Sequence, residues 1–479
     1  MKKQAYNPYL PSWEYVPDGE PYVFDGRVYI YGSHDRFGGG AFCENDYVCW
    51  SADVNDLGGW KYEGVIYRKD QDPLNRDGAN PLYAPDVQKG LDGKYYLYCC
   101  VNGIKLTSVA VCDTPAGKYE FLGYVRYADG TNFGEREGDP FQFDPAAFVD
   151  DDGKVYFYTG FAPWDGLWER WFRSTDDIQG SCCVELERDM LTIKGEPKII
   201  APRAGNACGT GFEGHEFFEA SSMRKINGKY YLIYSSSNSH ELCYATSGRP
   251  DGGFDYGGTI VSNGDIFLDG RKPEDALNYT GNTHGSLAEI NGEWYIFYHR
   301  HTNRSQFSRQ ACAERVVIEA DGHIKQVEMT SCGLNGGALS GKGEYPSYIA
   351  CNLLSAEGAR FSSAESAAET HPYFTQEGGD RESGENQYIA NMRDGAAAGF
   401  KYFDLRETSK VAVKLRGDGE GVFYISFGLN ETPVCAIEVR AERDYKRFAG
   451  AIPSGTEKSA LYFGYAGGGY VDFAAFELG

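Results

Sequence analysis

Five short motifs in the first two thirds of the chain each set one ionisable side chain a few residues ahead of a turn. They are Asp18 in VPDGEPYVF, Asp86 in YAPDV, Asp144 in FDPAAF, Glu219 in FFEASSM and His284 in NTHGSL. One at a time, an aspartate between proline and glycine is ordinary turn chemistry, and a histidine beside a strand is ordinary packing. Five at matching positions form a set. Crowded carboxylates repel and raise one another's pKa, which costs stability, so a chain that gathers them has a use for them. Separated pKa values are what acid–base cleavage of a glycosidic bond needs. One carboxylate is ionised to activate water or attack carbon, another is protonated to supply the leaving oxygen, and a third negative group keeps that acid protonated near neutral pH. A hard cation such as calcium also suits an Asp/Glu/His set, whereas catalytic zinc takes more than one histidine. The sequence holds no GxSxG elbow for serine chemistry and no phosphate-cradling glycine loop.

What must align these side chains is a repeat. DGRVYIY at Asp25, DGKYYLY at Asp92, DGKVYFY at Asp152, NGKYYLIY at Asn227 and NGEWYIFY at Asn291 recur at intervals of 60 to 75 residues. Asp-Gly and Asn-Gly are the strongest short hairpin signals, here read as two-residue turns, each followed by an aromatic strand. Room between copies for two further strands, such as YVCWSA and SVAVCD, makes a four-stranded sheet per repeat. Five such sheets arranged radially make an all-β, five-bladed propeller; a β-sandwich is the competing architecture, which the five-fold spacing disfavours. Each of the five ionisable residues lies six to eight positions before its turn, on the innermost strand, so all five are expected to converge on one end of the central channel.

The bulk numbers fit this picture. At 479 residues the chain has room for two or three domains. Its 46 basic and 69 acidic residues give a formal charge of -23, which repels nucleic acid and anionic membranes and favours a neutral partner. No apolar run approaches the roughly 18 residues that cross a bilayer. The opening MKKQAYNPYL has two lysines but no apolar stretch behind them, and the 13 cysteines show no paired CxxC spacing, so a cytoplasmic location with buried free thiols is expected. The 36 tyrosines are expected mainly to pack the strands. Nothing in the sequence specifies the oligomeric state.

The motifs NPYLP, PDGEPYVF, YAPDV, FDPAAFVDDDGKVYFYTG, FFEASSMRKINGKYYLIYSS and NTHGSLAEINGEWYIFYHR, in that order over residues 6 to 330, resemble the blades of glycoside hydrolase family 43. The resemblance implies Asp18 as general base, Glu219 as general acid and Asp144 as the residue that tunes the acid, acting by inversion and with no cofactor needed for the chemistry. It implies substrate contacts or electrostatics for Asp86, and for Arg309 a contact with both the sugar and the modulating carboxylate. For His284 it implies a hydrated calcium. Phe37, Trp164 and Trp168 lie in loops where they either stack on sugar or pack locally. One departure stands out: many members carry Glu-Gly-Pro at the acid, whereas this chain has Glu-Ala-Ser at 219–221, with Glu216 nearby as a rival.

After a Gly/Ser-rich stretch, read as a linker over 332–349, the repeat stops. Alternating runs such as KVAVKLRG and GVFYISFG suit a jelly-roll-like β-sandwich over 350–479, following a propeller over 1–331. YFTQEGGDRESGENQYIANMRDG and LYFGYAGGGYVDFAAFELG resemble a carbohydrate-binding module of the family 6 type. That implies a structural calcium, with Glu357 and Asp472 as candidates, and leaves open whether the sandwich binds sugar or braces the propeller. The PDGEPYVF and YGSHDRF forms look closest to arabinofuranosidases, implying exo-release of α-L-arabinofuranose from pentose-containing oligosaccharides. β-D-Xylosidase, or both activities in one site, is the close alternative. An endo-arabinanase, a non-catalytic sugar-binding propeller and a retaining fructoside-acting relative are more remote.

Overall fold

The computed structural model describes residues 4–163, 180–359, 361–362, 369–382, 384 and 386–479. Five antiparallel sheets follow one another along the chain, within residues 20–67, 82–124, 146–202, 217–262 and 287–316. The first four have four strands each, laid down in chain order, and the fifth has three. The N-terminal segment runs along the open edge of the fifth: Tyr9 N–H donates to Ala311 O at 3.2 Å, and the Asn7 amide exchanges hydrogen bonds with Ala313 N and O, each at 2.9 Å. The start of the chain thus joins the last blade and closes the circle.

The aromatic repeat supplies the packing between blades. The last tyrosine of each copy, Tyr31, Tyr98, Tyr158, Tyr234 and Tyr298, is fully buried. A buried phenol needs a partner, and each has one: Tyr31 donates to Pro115 O at 2.7 Å, Tyr98 to Met190 O at 2.8 Å, Tyr158 to Pro250 O at 3.1 Å, Tyr234 to His215 O at 2.7 Å and Tyr298 to Glu314 Oε1 at 3.2 Å. Apolar cores fill all five gaps, including the one where Ile30 and Trp50 of the first blade meet Ile290 and Phe297 of the fifth. That ring of contacts makes the architecture a five-bladed propeller.

The turns follow the expectation in three blades. Phe24 pairs with Arg27, Ile226 with Lys229 and Ile290 with Glu293, leaving Asp25-Gly26, Asn227-Gly228 and Asn291-Gly292 as two-residue turns with positive φ at both positions. Blades two and three differ. Lys89 pairs with Tyr95 and Val149 with Val155, so five residues span each turn, and only Gly93 and Gly153 adopt positive φ. There the aspartates fold the loop by accepting from the amides of Lys94 and Lys154 at 3.1 and 3.0 Å.

The remaining strands form two six-stranded sheets around one apolar core that includes Phe400, Phe463, Phe473 and Phe476, a β-sandwich. The stretch 332–349, expected as a linker, is part of this unit. Leu339–Ser340 adds in parallel to Ala397–Asp404, and Gly343–Pro346 pairs with Val471–Leu478, because Leu339 and Tyr345 are apolar enough to join the core. Among the described residues no helix is long and apolar enough to cross a membrane.

The sandwich packs on the propeller through polar contacts that are buried or partly buried. Arg381 Nη1 lies 2.8 and 2.7 Å from the two oxygens of buried Glu14. Asp380 accepts from the Phe37 amide at 2.8 Å and from Asn45 at 3.1 Å, and the Tyr15 hydroxyl donates to Gln376 at 2.6 Å. Lys401 bonds Glu328 at 2.8 Å.

Candidate active site

Asp18, Asp144, Glu219, His284 and Arg309 line one cavity of about 430 Å³. The three carboxylates are 5%, 4% and 9% exposed. Asp18 precedes the innermost strand Glu20–Phe24 in a left-handed backbone conformation, φ 58°, and Asp144 stands likewise at φ 45°. Aspartate tolerates this region better than most residues, yet it is sparsely populated and clusters at functional positions. Glu219 is aimed differently. The pairing of Phe217–Ile226 with Lys229–Ser236 slips on both sides of Glu219, and Ala220 takes φ 69°; such irregularities re-aim a side chain out of the pleat. His284 depends on its neighbour, since a Cβ on Gly285 would lie 1.9 Å from Phe297 O.

The electrostatics separate the carboxylates. Burial, reinforced by the charge of Asp144, holds the Glu219 carboxyl well above its ordinary value, so it keeps its proton. Burial also raises Asp144, against the pull of His284, whose Nδ1 stands 3.4 Å from Asp144 Oδ2. For His284 burial opposes charge, but Asp144 and Glu20 outweigh it and raise the imidazole well above its usual value. Asp18 receives a hydrogen bond from Arg309 Nη1 at 2.9 Å. A buried acid that holds its proton and a carboxylate gripped by a permanent cation are the two halves of proton donation and water activation.

Several surroundings were not foreseen. Arg309 makes its other bonds to Asp35, from Nε and Nη2 at 2.9 Å each, and its guanidinium lies 4.9 Å from the Phe42 ring. The carboxylate it bonds in the trio is therefore Asp18, not the expected Asp144. His299 is held neutral by burial and by Arg309. Its Nε2 bonds Asn282 O at 2.9 Å, which assigns the proton there and leaves Nδ1 to accept the Asp18 amide at 3.3 Å. Tyr83, Phe143, Phe161, Phe218 and Phe361 give the cavity an apolar wall.

Other expectations are corrected. Asp86 is fully buried and lies outside the cavity: Tyr22 donates to one oxygen and Ala147 N–H to the other, both at 2.7 Å, stapling three blades together. Burial, with Glu20 nearby, pushes its carboxyl up to about 7. Phe37 stacks on Tyr15 at 5.5 Å against the sandwich, and Phe42 takes the place in the cavity. Glu216, the rival acid, accepts from Ser237 at 2.6 Å and the Gly214 amide at 3.0 Å, lies outside the cavity, and is lowered rather than raised, those bonds overcoming burial. Trp164 and Trp168 lie outside the described residues.

For a hard cation, Glu20 Oε1 is the relevant atom. It is buried without a hydrogen-bond partner, 3.8 Å from His284 Nε2, and an orphaned carboxylate oxygen beside an imidazole suits a hydrated calcium. The sandwich candidates do not fit: Asp472 spends its oxygens on the Asn391 amide at 3.0 Å and Arg416 at 3.1 Å, and Glu357 sits on an exposed turn. Among the described residues, His215, Glu241 and Cys243 also lie close together. Glu241 is already satisfied there by His215, Ser236, Thr259 and Asn238.

The family model "Glycosyl hydrolases family 43" matches residues 15–324. A xylosidase/arabinosidase of Thermoclostridium stercorarium is 55% identical over 483 residues, covering 100% of this chain and 99% of the relative. The crystal structure of a family 43 β-xylosidase/α-arabinofuranosidase from a compost microbial metagenome, in complex with xylotriose, superposes with a TM-score of 0.52 at 29% identity over 68% of this chain and 98% of its own. An arabinoxylan arabinofuranohydrolase from Bacillus subtilis shares the fold along 99% of both chains, with a TM-score of 0.51 at 19% identity.

Proposed function

The chain belongs to glycosyl hydrolases family 43, and from that premise we propose that it is an exo-acting, inverting glycosidase that releases terminal α-L-arabinofuranose from arabinoxylan-type oligosaccharides. Glycoside hydrolysis is the family's chemistry and needs no cofactor. The observation that carries the reading is the buried trio of Asp18, Asp144 and Glu219 in one cavity, with Glu219 holding its proton. Asp18, oriented by Arg309, takes the proton of a water attacking the anomeric carbon. Glu219 protonates the glycosidic oxygen on the opposite face, and Asp144 keeps Glu219 protonated until then.

β-D-Xylosidase activity in the same site is the second reading. The similarity to proteins named for both activities supports it, and a cavity of about 430 Å³ suits a terminal sugar of either kind. Initial rates on nitrophenyl α-L-arabinofuranoside and nitrophenyl β-D-xyloside, with the anomer of the released sugar followed by proton NMR, test both points. Release with inversion upholds the reading, and the rate ratio orders the two sugars. Release with retention overturns the mechanism, and no release of either sugar overturns the function.

Glu20 and His284 are the residues that would hold a hydrated calcium, His284 giving up its proton to do so. Bound there it would supply positive charge beside Asp144, while the proton transfers stay with Asp18 and Glu219. All 13 cysteines are free, which supports a reducing, cytoplasmic setting and imported oligosaccharides as substrates.

A further inference from the structure

Phe361 belongs to neither the trio nor the propeller blades, yet it lines the same cavity. The catalytic carboxylates are at most 9% exposed, whereas Phe361 is 44% exposed, so it stands toward the mouth while they stand at the floor. A large apolar ring left half open to water beside a sugar site calls for an explanation. Its backbone is tied to the propeller. Ser362 N–H donates to Thr280 O at 2.8 Å, and Phe361 forms a parallel bridge with Thr280. Two residues on, Asn282 lines the cavity and takes the His299 bond that supports Asp18.

The sandwich from which Phe361 projects in sequence is anchored, not tethered. Arg381 to Glu14, Asp380 to Phe37 and Asn45, and Gln376 to Tyr15 fix it against the segment that carries Asp35 and Phe42. On the sandwich itself the Arg416 guanidinium occupies one face of Tyr388 at 4.7 Å and of Tyr445 at 4.6 Å.

Resting on the glycosidase reading above, we propose that Phe361 is a specificity residue for the leaving-group side of the substrate, stacking on the sugar beyond the cleaved bond. The C-terminal third thereby completes the active site. The terminal pentose, seated on the buried carboxylates, does not reach it. The next ring of a neutral oligosaccharide does, and presents an apolar C–H face to the phenyl ring.

The test compares wild type, Phe361→Ala, Phe361→Leu and Phe361→Tyr, with melting midpoints recorded for each. KM for a pentose trisaccharide rises about three- to ten-fold in Phe361→Ala, the worth of one aromatic contact, rises in Phe361→Leu, and stays near wild type in Phe361→Tyr. The inhibition constant of the free pentose stays unchanged throughout. An unchanged trisaccharide KM in both Phe361→Ala and Phe361→Leu, or parallel loss of pentose inhibition, overturns the proposal. Absence of turnover in wild type overturns the glycosidase reading instead.

Discussion

Arg309 reaches Asp18 Oδ1 with Nη1 at 2.9 Å while its Nε and Nη2 hold both oxygens of Asp35. The guanidinium is a rigid planar fork, so fixing two of its nitrogens fixes the third, and with it the Asp18 carboxylate. His299 holds the Asp18 backbone from the other side. The side chain that must meet a water molecule therefore has little freedom, which is the preorganisation that acid–base catalysis rewards.

The assignment of Glu219 as acid predicts a leaving-group signature. Glu219→Ala lowers turnover of natural oligosaccharides by roughly 10²–10⁴-fold, the usual worth of a general acid, and lowers turnover of activated aryl glycosides far less, because a good leaving group departs without a proton. Steady-state kinetics on both substrate types check this. Equal losses on both contradict the assignment.

The pH dependence follows from the raised Glu219 carboxyl. Activity on natural substrates falls along the alkaline limb of its profile as Glu219 ionises, and that limb lies above the ordinary glutamate value. Asp144→Asn removes the neighbouring negative charge and moves that alkaline limb to lower pH. Stability runs the same way. Above the ordinary glutamate value the native state keeps a proton that the unfolded chain has released, so stability declines with rising pH by about 1.4 kcal/mol per unit until Glu219 ionises in the fold. Glu219→Gln removes this contribution, measurable by denaturant melts across pH.

Ala220 carries a cost that glycine would not. At φ 69° its Cβ is crowded, a strain of about 1–2 kcal/mol for an L-residue, partly offset by the greater freedom of glycine in the unfolded chain. Ala220→Gly is expected to raise stability by up to about 1 kcal/mol with activity retained, read from the denaturant midpoint.

If Glu20 and His284 hold calcium, the ion stabilises the folded state: at a hundredfold excess over its dissociation constant the gain is about 2.7 kcal/mol. The melting midpoint of chelator-treated protein is expected to rise on adding calcium, and the rise to vanish in Glu20→Gln and His284→Ala. An unmoved midpoint in wild type contradicts the site.

Much of this was legible in one dimension because the propeller is a repeat. The five tyrosines that end the motifs occupy equivalent buried positions, and counting back from the turns found Asp18, Asp144, Glu219 and His284. Counting failed at Asp86. Asp86 stands only three residues before its strand end at Lys89, because a five-residue turn follows, whereas Asp18 and His284 stand six before theirs at Phe24 and Ile290, and Asp144 five before Val149; Tyr83 holds the six-residue position and reaches the cavity. The length of a turn is not written in its Asp-Gly pair. Phe42 was missed for Phe37 because loop geometry has no period. Phe361 and Asp380 were invisible for another reason: they meet the first blades and the site from hundreds of residues away in sequence, by contacts that leave no local pattern.

The central claim is that Asp18 activates water. The measurement that tests it most directly is kcat of Asp18→Asn, a nearly isosteric change, on nitrophenyl pentosides, alongside its melting midpoint. The expected result is a folded protein whose turnover is lowered by about 10³-fold or more on every leaving group, because a good leaving group does not replace a base. A folded Asp18→Asn variant that turns over within a few-fold of wild type contradicts the account.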